Sequence, residues 1–226
     1  MQLPETVEVE TGANPGGTVI WLHGLGADGH DFEAIVPELR LPASLPLRFV
    51  FPHAPVRPIT INGGMEMRAW YDIVSLDKKG RADEPGIRAS SALVDGLLDR
   101  EQHRGIQSSK IVIAGFSQGG AIALHNVIRS PLKLCGLMAL SSYLPLRDTI
   151  DAELANNPHT GDVSVPVFIG HGTSDPMVPY EGGRDSADVL RSLGYQVEWH
   201  EYAMGHSLCA QEIADISHWL QAIYSD

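Results

Sequence analysis

The sequence predicts an α/β protein with a mainly parallel central sheet and helices on both faces. Short apolar runs alternate with helical patterns, the mark of parallel strands joined by crossover helices. The runs are near-continuously apolar, as strands covered on both faces require. The chain has 226 residues and is 43% hydrophobic, enough for one substantial core, so residues 1–226 read as a single domain.

Taken in chain order, residues 6–10 allow an N-terminal edge strand, and 18–22 form the first central one. Phe32, Ile35, Val36 and Leu39 then make a helical stripe, and 48–51 form the next strand. A long excursion over 52–89 carries Gly63, Gly64, Met65, Met67, Trp70 and Tyr71; a connection of that length is usually functional. Leu93, Val94, Leu97 and Leu98 make a second stripe before strands at 110–114 and 135–140. Residues 145–166 are polar and acidic and read as surface, with further strands at 167–170 and 196–201. Cys209, Ile213, Ile216, Leu220 and Ile223 recur at steps of four and three, which defines the last helix. All three stripes read as core against the sheet. Neither 52–89 nor 145–166 is long enough for a separate cap domain.

Bulk properties exclude several classes. Sixteen basic against 28 acidic residues give a formal charge of −12, which disfavours a nucleic-acid or anionic-membrane surface. The first ten residues lack the basic start and apolar core of a secretory signal, and no apolar run reaches membrane-spanning length. The cysteines Cys135 and Cys209 have no zinc-type spacing and fit a reduced, cytoplasmic chain.

The chemistry centres on Gly115-Phe116-Ser117-Gln118-Gly119, placed between the strand at 110–114 and a helix-forming run. A strand, one tight turn and a helix hold such a serine hydroxyl above a sheet, with glycines clearing room on either side. Otherwise Ser117 merely caps the helix. A serine hydroxyl needs a base to take its proton and an acid to orient that base. Downstream, Asp175 follows the 167–170 strand and His206 follows the 196–201 strand, so both emerge at the sheet edge that carries Ser117. Asp175 could alternatively open an Asp-Pro turn, and His206 could cap the final helix. Among the other histidines, His125 lies eight residues along a helix, about 12 Å from Ser117. His200 lies within a strand, and His30, His103, His159 and His218 read as exposed. A zinc site from His200 and His206 lacks helical spacing and a third ligand. Two backbone amides should face the developing oxyanion: that of Gln118, and that of Leu25 in the glycine-rich loop His23-Gly24-Leu25-Gly26-Ala27-Asp28-Gly29. His23 braces that loop, or the loop is simply a strand-end turn.

With these segments, and with Pro52-His53-Ala54-Pro55, Pro58-Ile59-Thr60-Ile61-Asn62-Gly63-Gly64 and Met67-Arg68-Ala69-Trp70-Tyr71-Asp72, the chain resembles the carboxylesterase/phospholipase family of α/β-hydrolases, which includes the acyl-protein thioesterases. The resemblance runs from about Val19 to Trp219. It implies a single-domain α/β-hydrolase fold without a separate cap. Ser117 is then nucleophile, His206 base, Asp175 orienting acid, and the Leu25 and Gln118 amides the oxyanion donors. Met65, Trp70 and Tyr71 belong to a segment walling the acyl pocket, with Trp70 as lining, as a core anchor for the loop, or as both. No metal or organic cofactor is implied. Two positions depart from the family pattern: His53 stands where a small amide is expected, and Ser207 where an acidic residue often follows the base histidine. The expected activity is serine carboxylesterase action on short- to medium-chain acyl esters. Alternatives are acyl-protein thioesterase or lysophospholipase action on long chains, a non-catalytic ligand receptor on the same fold, and metal-dependent hydrolysis. Partners are then a small-molecule or lipid ester, with no nucleic acid and no stable membrane insertion. An exposed apolar loop near Met65 and Trp70 would serve as a homodimer contact or as the pocket mouth.

Overall fold

The computed structural model describes residues 2–74, 82–157 and 160–225. The expectation of an exposed His159 lies outside them. Seven strands form one sheet in the order β1-β3-β2-β6-β7-β8-β9. They are β1 Thr6–Glu10, β2 Gly17–Leu22, β3 Leu47–Pro52, β6 Ile111–Phe116, β7 Gly136–Leu140, β8 Val167–Gly172 and β9 Val197–Tyr202. The edge strand β1 pairs antiparallel with β3, from Thr6 opposite Pro52 to Glu10 opposite Arg48, and the remaining neighbours are parallel.

The alternation of side chains along each strand divides two cores. Ile20, Leu22, Val50, Ile113 and Leu137 face one layer, where α2 Glu84–His103, α3 Gln118–Arg129, α4 Ile150–Asn156 and α5 Tyr180–Ser192 pack. Val19, Trp21, Phe49, Phe51, Val112 and Met138 face the other, covered by α1 Ile35–Glu38 and α6 Ala210–Ser225. Helices on both faces of a mostly parallel sheet are what the near-continuous apolar strands required.

Three differences from expectation have local causes. The 32–39 stripe does pack in the core, but only Ile35–Glu38 is α-helical, because Pro37 lacks an N–H and Arg40, at φ +47°, turns the chain out. The 145–166 stretch contains α4, whose Ile150 is buried. The 52–89 excursion opens with an antiparallel hairpin, β4 Val56–Ile59 and β5 Met65–Arg68, turning through Gly63 and Gly64 at φ +67° and +80°. Its return is fixed by Asp83, which accepts from the Gly86 amide at 3.0 Å as the cap of α2 and from the Asp72 amide at 2.9 Å.

Candidate active site

β6 hands directly to α3 at Ser117, the residue between them, which has φ +53° and ψ −118°. This is a sterically disfavoured backbone for a residue with a Cβ, and it is held from several sides. Its N–H donates to the Leu140 carbonyl at 2.9 Å, and its carbonyl accepts from the Ala121 amide at 3.1 Å and the Ser142 hydroxyl at 2.7 Å. The flanking glycines have no alternative. A Cβ on Gly115 would lie 2.3 Å from the Gly119 carbonyl carbon, and one on Gly119 would lie 2.3 Å from the Leu22 oxygen. On Gly120 a Cβ would reach 2.6 Å from that of Ser142.

The parallel strands end at one edge of the sheet, and the loops after β8 and β9 meet there. The Thr173 and Ser174 amides donate to the Tyr202 and Met204 carbonyls at 2.8 and 3.1 Å. Gly172 allows this approach, since a Cβ there would lie 2.4 Å from the Gly205 oxygen. The two loops deliver a hydrogen bond of 2.7 Å between His206 Nδ1 and Asp175 Oδ2. The Asp175 carboxylate is fully shielded from water, while the His206 side chain is 18% exposed. Asp175 Oδ1 also accepts from the Met177 and Val178 amides at 2.8 and 2.9 Å, so the turn that follows Asp175 also holds its carboxylate. The Phe116 ring lies 4.7 Å from the His206 ring, which sets the imidazole beside the residue preceding Ser117. Ser117, His206 and Asp175 therefore share one edge, with the Asp–His contact made.

Neither the Leu25 nor the Gln118 amide donates to another group among the described residues. His23 Nε2 accepts from the Ala54 amide at 3.0 Å and its Nδ1 lies 2.7 Å from the Gly24 carbonyl. Burial pushes its pKa down to about 4, so the ring is neutral with its proton on Nδ1. His23 thus braces the glycine loop rather than ending a plain turn. His53 Nδ1 accepts from the Gly29 amide at 3.0 Å, the acceptor role a small amide could also fill.

Trp70 and Tyr71 do not present faces to an open pocket. Trp70 is fully buried and Tyr71 nearly so, with its hydroxyl 2.7 Å from that of Tyr143. The lining role gives way to an anchoring one, because the Trp70 indole is consumed by a hydrogen bond to the His23 carbonyl. Met65 is 64% exposed at the turn end of the hairpin, opposite Ile59, with exposed Ile61 in the turn.

Sequence reasoning passed over His171. It is fully buried on β8, donates through Nε2 to the Val178 carbonyl at 2.9 Å, and lies 3.7 Å from Asp175 Oδ2. Burial lowers its pKa, so it supports the acid's loop as a neutral ring. Its place one residue before Gly172 was the available signal. His30, His103 and His218 are exposed, whereas His125 is buried in α3 and His200 stacks on Phe168 at 4.5 Å. A cavity of about 280 Å³ between α2 and α3 is lined by Asp95, Asp99, Asn126 and Arg129 and shares no residue with this edge.

The sheet order, both covered faces and the strand–turn–helix serine define an α/β-hydrolase. Residues 4–224 match the phospholipase/carboxylesterase family profile, and the chain belongs to that family of hydrolases. It is 42% identical over 210 residues to acyl-protein thioesterase 1 of Neurospora crassa, covering 90% of this chain and 85% of that one. To acyl-protein thioesterase 1 of Cryptococcus neoformans it is 39% identical over 221 residues, covering 90% of each. The crystal structure of Zea mays acyl-protein thioesterase 2 superposes with a TM-score of 0.85 at 29% identity, covering 97% of this chain and 99% of that one.

Proposed function

We propose that this protein is a cytoplasmic serine hydrolase of acyl thioesters and esters, with S-acylated proteins as its main substrate class. The observation that carries the chemistry is the 2.7 Å His206–Asp175 contact beside the strained Ser117. The relatives named acyl-protein thioesterase support thioesters of acylated proteins over short carboxylic esters as the substrate class. Exposed Ile61 and Met65 at the turn end of the hairpin suit a long acyl chain better than an acetyl group. Among the described residues no helix is long and apolar enough to cross a membrane.

In this mechanism the His206 Nδ1–H is held by Asp175, which leaves Nε2 free to take the Ser117 proton. Ser117 Oγ attacks the acyl carbonyl, and the Leu25 and Gln118 amides receive the oxyanion. Loss of one such donor typically costs about 3 kcal/mol of transition-state stabilisation. The tetrahedral intermediate expels the thiol, which leaves with the proton from His206. Water then attacks the acyl-enzyme by the same route and regenerates Ser117.

The test is hydrolysis of a palmitoyl-thioester peptide against nitrophenyl esters from acetyl to palmitoyl, with fluorophosphonate labelling located by mass spectrometry. Labelling at Ser117, a long-chain thioester optimum, and loss of both in folded Ser117→Ala are expected. A short-chain ester optimum returns the enzyme to the carboxylesterase reading, and absence of both labelling and hydrolysis overturns the hydrolase mechanism.

A further inference from the structure

The two amides assigned to the oxyanion sit on separate segments, Leu25 in the loop after β2 and Gln118 at the start of α3, just past the turn that follows β6. A catalytic oxyanion hole requires both at a fixed separation before the substrate arrives. The strap 68–71, where the hairpin re-enters the core, touches both segments through four hydrogen bonds. On the β2 side, the Gly26 amide, next to that of Leu25, donates to the Arg68 carbonyl at 2.9 Å, and Trp70 Nε1 donates to the His23 carbonyl at 2.9 Å. On the β6 side, the Trp70 amide donates to Gln118 Oε1 at 2.8 Å, and Gln118 Nε2 donates to the Tyr71 carbonyl at 2.7 Å. The strap is itself fixed, since Ser90 Oγ donates to the Trp70 carbonyl and Tyr71 meets Tyr143.

We propose that the Gln118 side chain and Trp70 form a clamp that sets the spacing of the two oxyanion amides. Both are positioning residues: neither the Gln118 carboxamide nor the Trp70 indole touches substrate. The proposal rests on the serine-hydrolase reading above and adds a division of labour within Gln118, whose backbone serves the reaction while its side chain holds the opposite loop through Trp70. Both side chains are buried, so their hydrogen bonds face no competition from water. The strap continues directly from β5, so the exposed hairpin and the oxyanion site are one connected piece of backbone.

Gln118→Met keeps the length and the backbone amide but removes both side-chain hydrogen bonds. Trp70→Phe removes the indole bond to His23 and some ring volume while keeping the Trp70 backbone bond to Gln118. A displaced donor should lose less than a deleted one, so kcat should fall about ten- to a hundredfold in Gln118→Met and about tenfold in Trp70→Phe. KM for a nitrophenyl acetate substrate should stay within about twofold, because the ground-state carbonyl makes little use of the hole.

A purely structural role does not predict the decisive readout, which is affinity for an alkyl boronic acid. There the Ser117 Oγ–B bond forms, the hydroxyl proton passes to His206 and nothing leaves, giving a tetrahedral adduct that needs the oxyanion amides. Boronate affinity should fall in parallel with kcat while circular dichroism stays that of the wild type. Folded variants with wild-type kcat and boronate affinity overturn the clamp, as does a loss confined to KM. If both variants unfold, hydrogen exchange in the wild-type protein decides: boronate should slow exchange at the Trp70 indole and the Gly26 amide, and unchanged exchange overturns the clamp. Failure of wild-type Ser117 to react with a fluorophosphonate removes the underlying hydrolase reading instead.

Discussion

At the scale of single residues, Ser117 stores strain that its neighbours enforce. Its φ of +53° with ψ −118° is a region that glycine enters freely, and such strain typically amounts to about 1–3 kcal/mol. Ser117→Gly should therefore abolish turnover while raising Tm by a few degrees, read by calorimetry beside Ser117→Ala. A glycine variant no more stable than the alanine one would mean the backbone is not strained there. Gly119→Ala should do the reverse and unfold the elbow, since the added methyl meets backbone oxygens of both Leu22 and His23 and nothing flexible can yield. That Ser117, Asp175 and His206 come to one sheet edge was legible because the parallel strands β6, β8 and β9 present their C-terminal ends together. Gln118's carboxamide and His171 were not, since their partners, Trp70, Tyr71 and Val178, are set by folding of distant or irregular segments rather than by any period in the sequence.

At the scale of elements, central strands announced themselves through their apolar patterns, with boundaries shifted by one or two residues, and α2, α3 and α6 through their helical runs, although α2 begins at Glu84, inside the expected 52–89 excursion. The β4–β5 hairpin did not. Ile59 is buried while apolar Val56, Ile61 and Met65 are exposed, so the hairpin's apolar residues do not sort to one face and carry no alternation that marks a strand. The short α4 and the polar α5, which buries only Gly183, Ser186, Ala187 and Leu190, were hidden for the same reason. The return of the excursion depends on Asp83, which caps α2 and holds the Asp72 amide at the end of the strap. Asp83→Ala should lose about 1 kcal/mol, lowering Tm by roughly 2–4 °C. Because Asp72 follows Tyr71, the same change should also speed hydrogen exchange at the Asp72 amide; unchanged exchange there would confine Asp83 to capping.

For the whole molecule, buried titratable groups set how stability depends on pH. His23 and His125 are pushed down from 6.5 to about 4 and about 3, chiefly by burial, and His171 is lowered by the same cause. The unfolded chain takes up protons at these positions below pH 6.5 while the folded one does not, so stability falls as pH drops through that range. Glu212 acts in the opposite sense. Its carboxyl is enclosed beside Gly170 and the Tyr202 ring, and burial, with Asp215 nearby, raises it from 4.5 to about 8. The unfolded chain gives up that proton near 4.5 and the folded one holds it to about 8, so this term is fully stabilising below 4.5 and is lost as pH rises to 8. Between 4.5 and 6.5 the lowered histidines outweigh Glu212 and stability rises with pH; between about 7 and 8 the unfolded histidines are already neutral, so Glu212 dominates and stability declines. The maximum should therefore lie near pH 7, with a loss of about 1 kcal/mol by pH 8. Glu212→Gln keeps the shape and removes the titration, so its Tm should not fall between pH 7 and 8, while that of the wild type drops by about 2–4 °C. Parallel Tm curves for the two proteins across that interval would show that Glu212 is already ionised in the fold, with its charge met by a partner or by water.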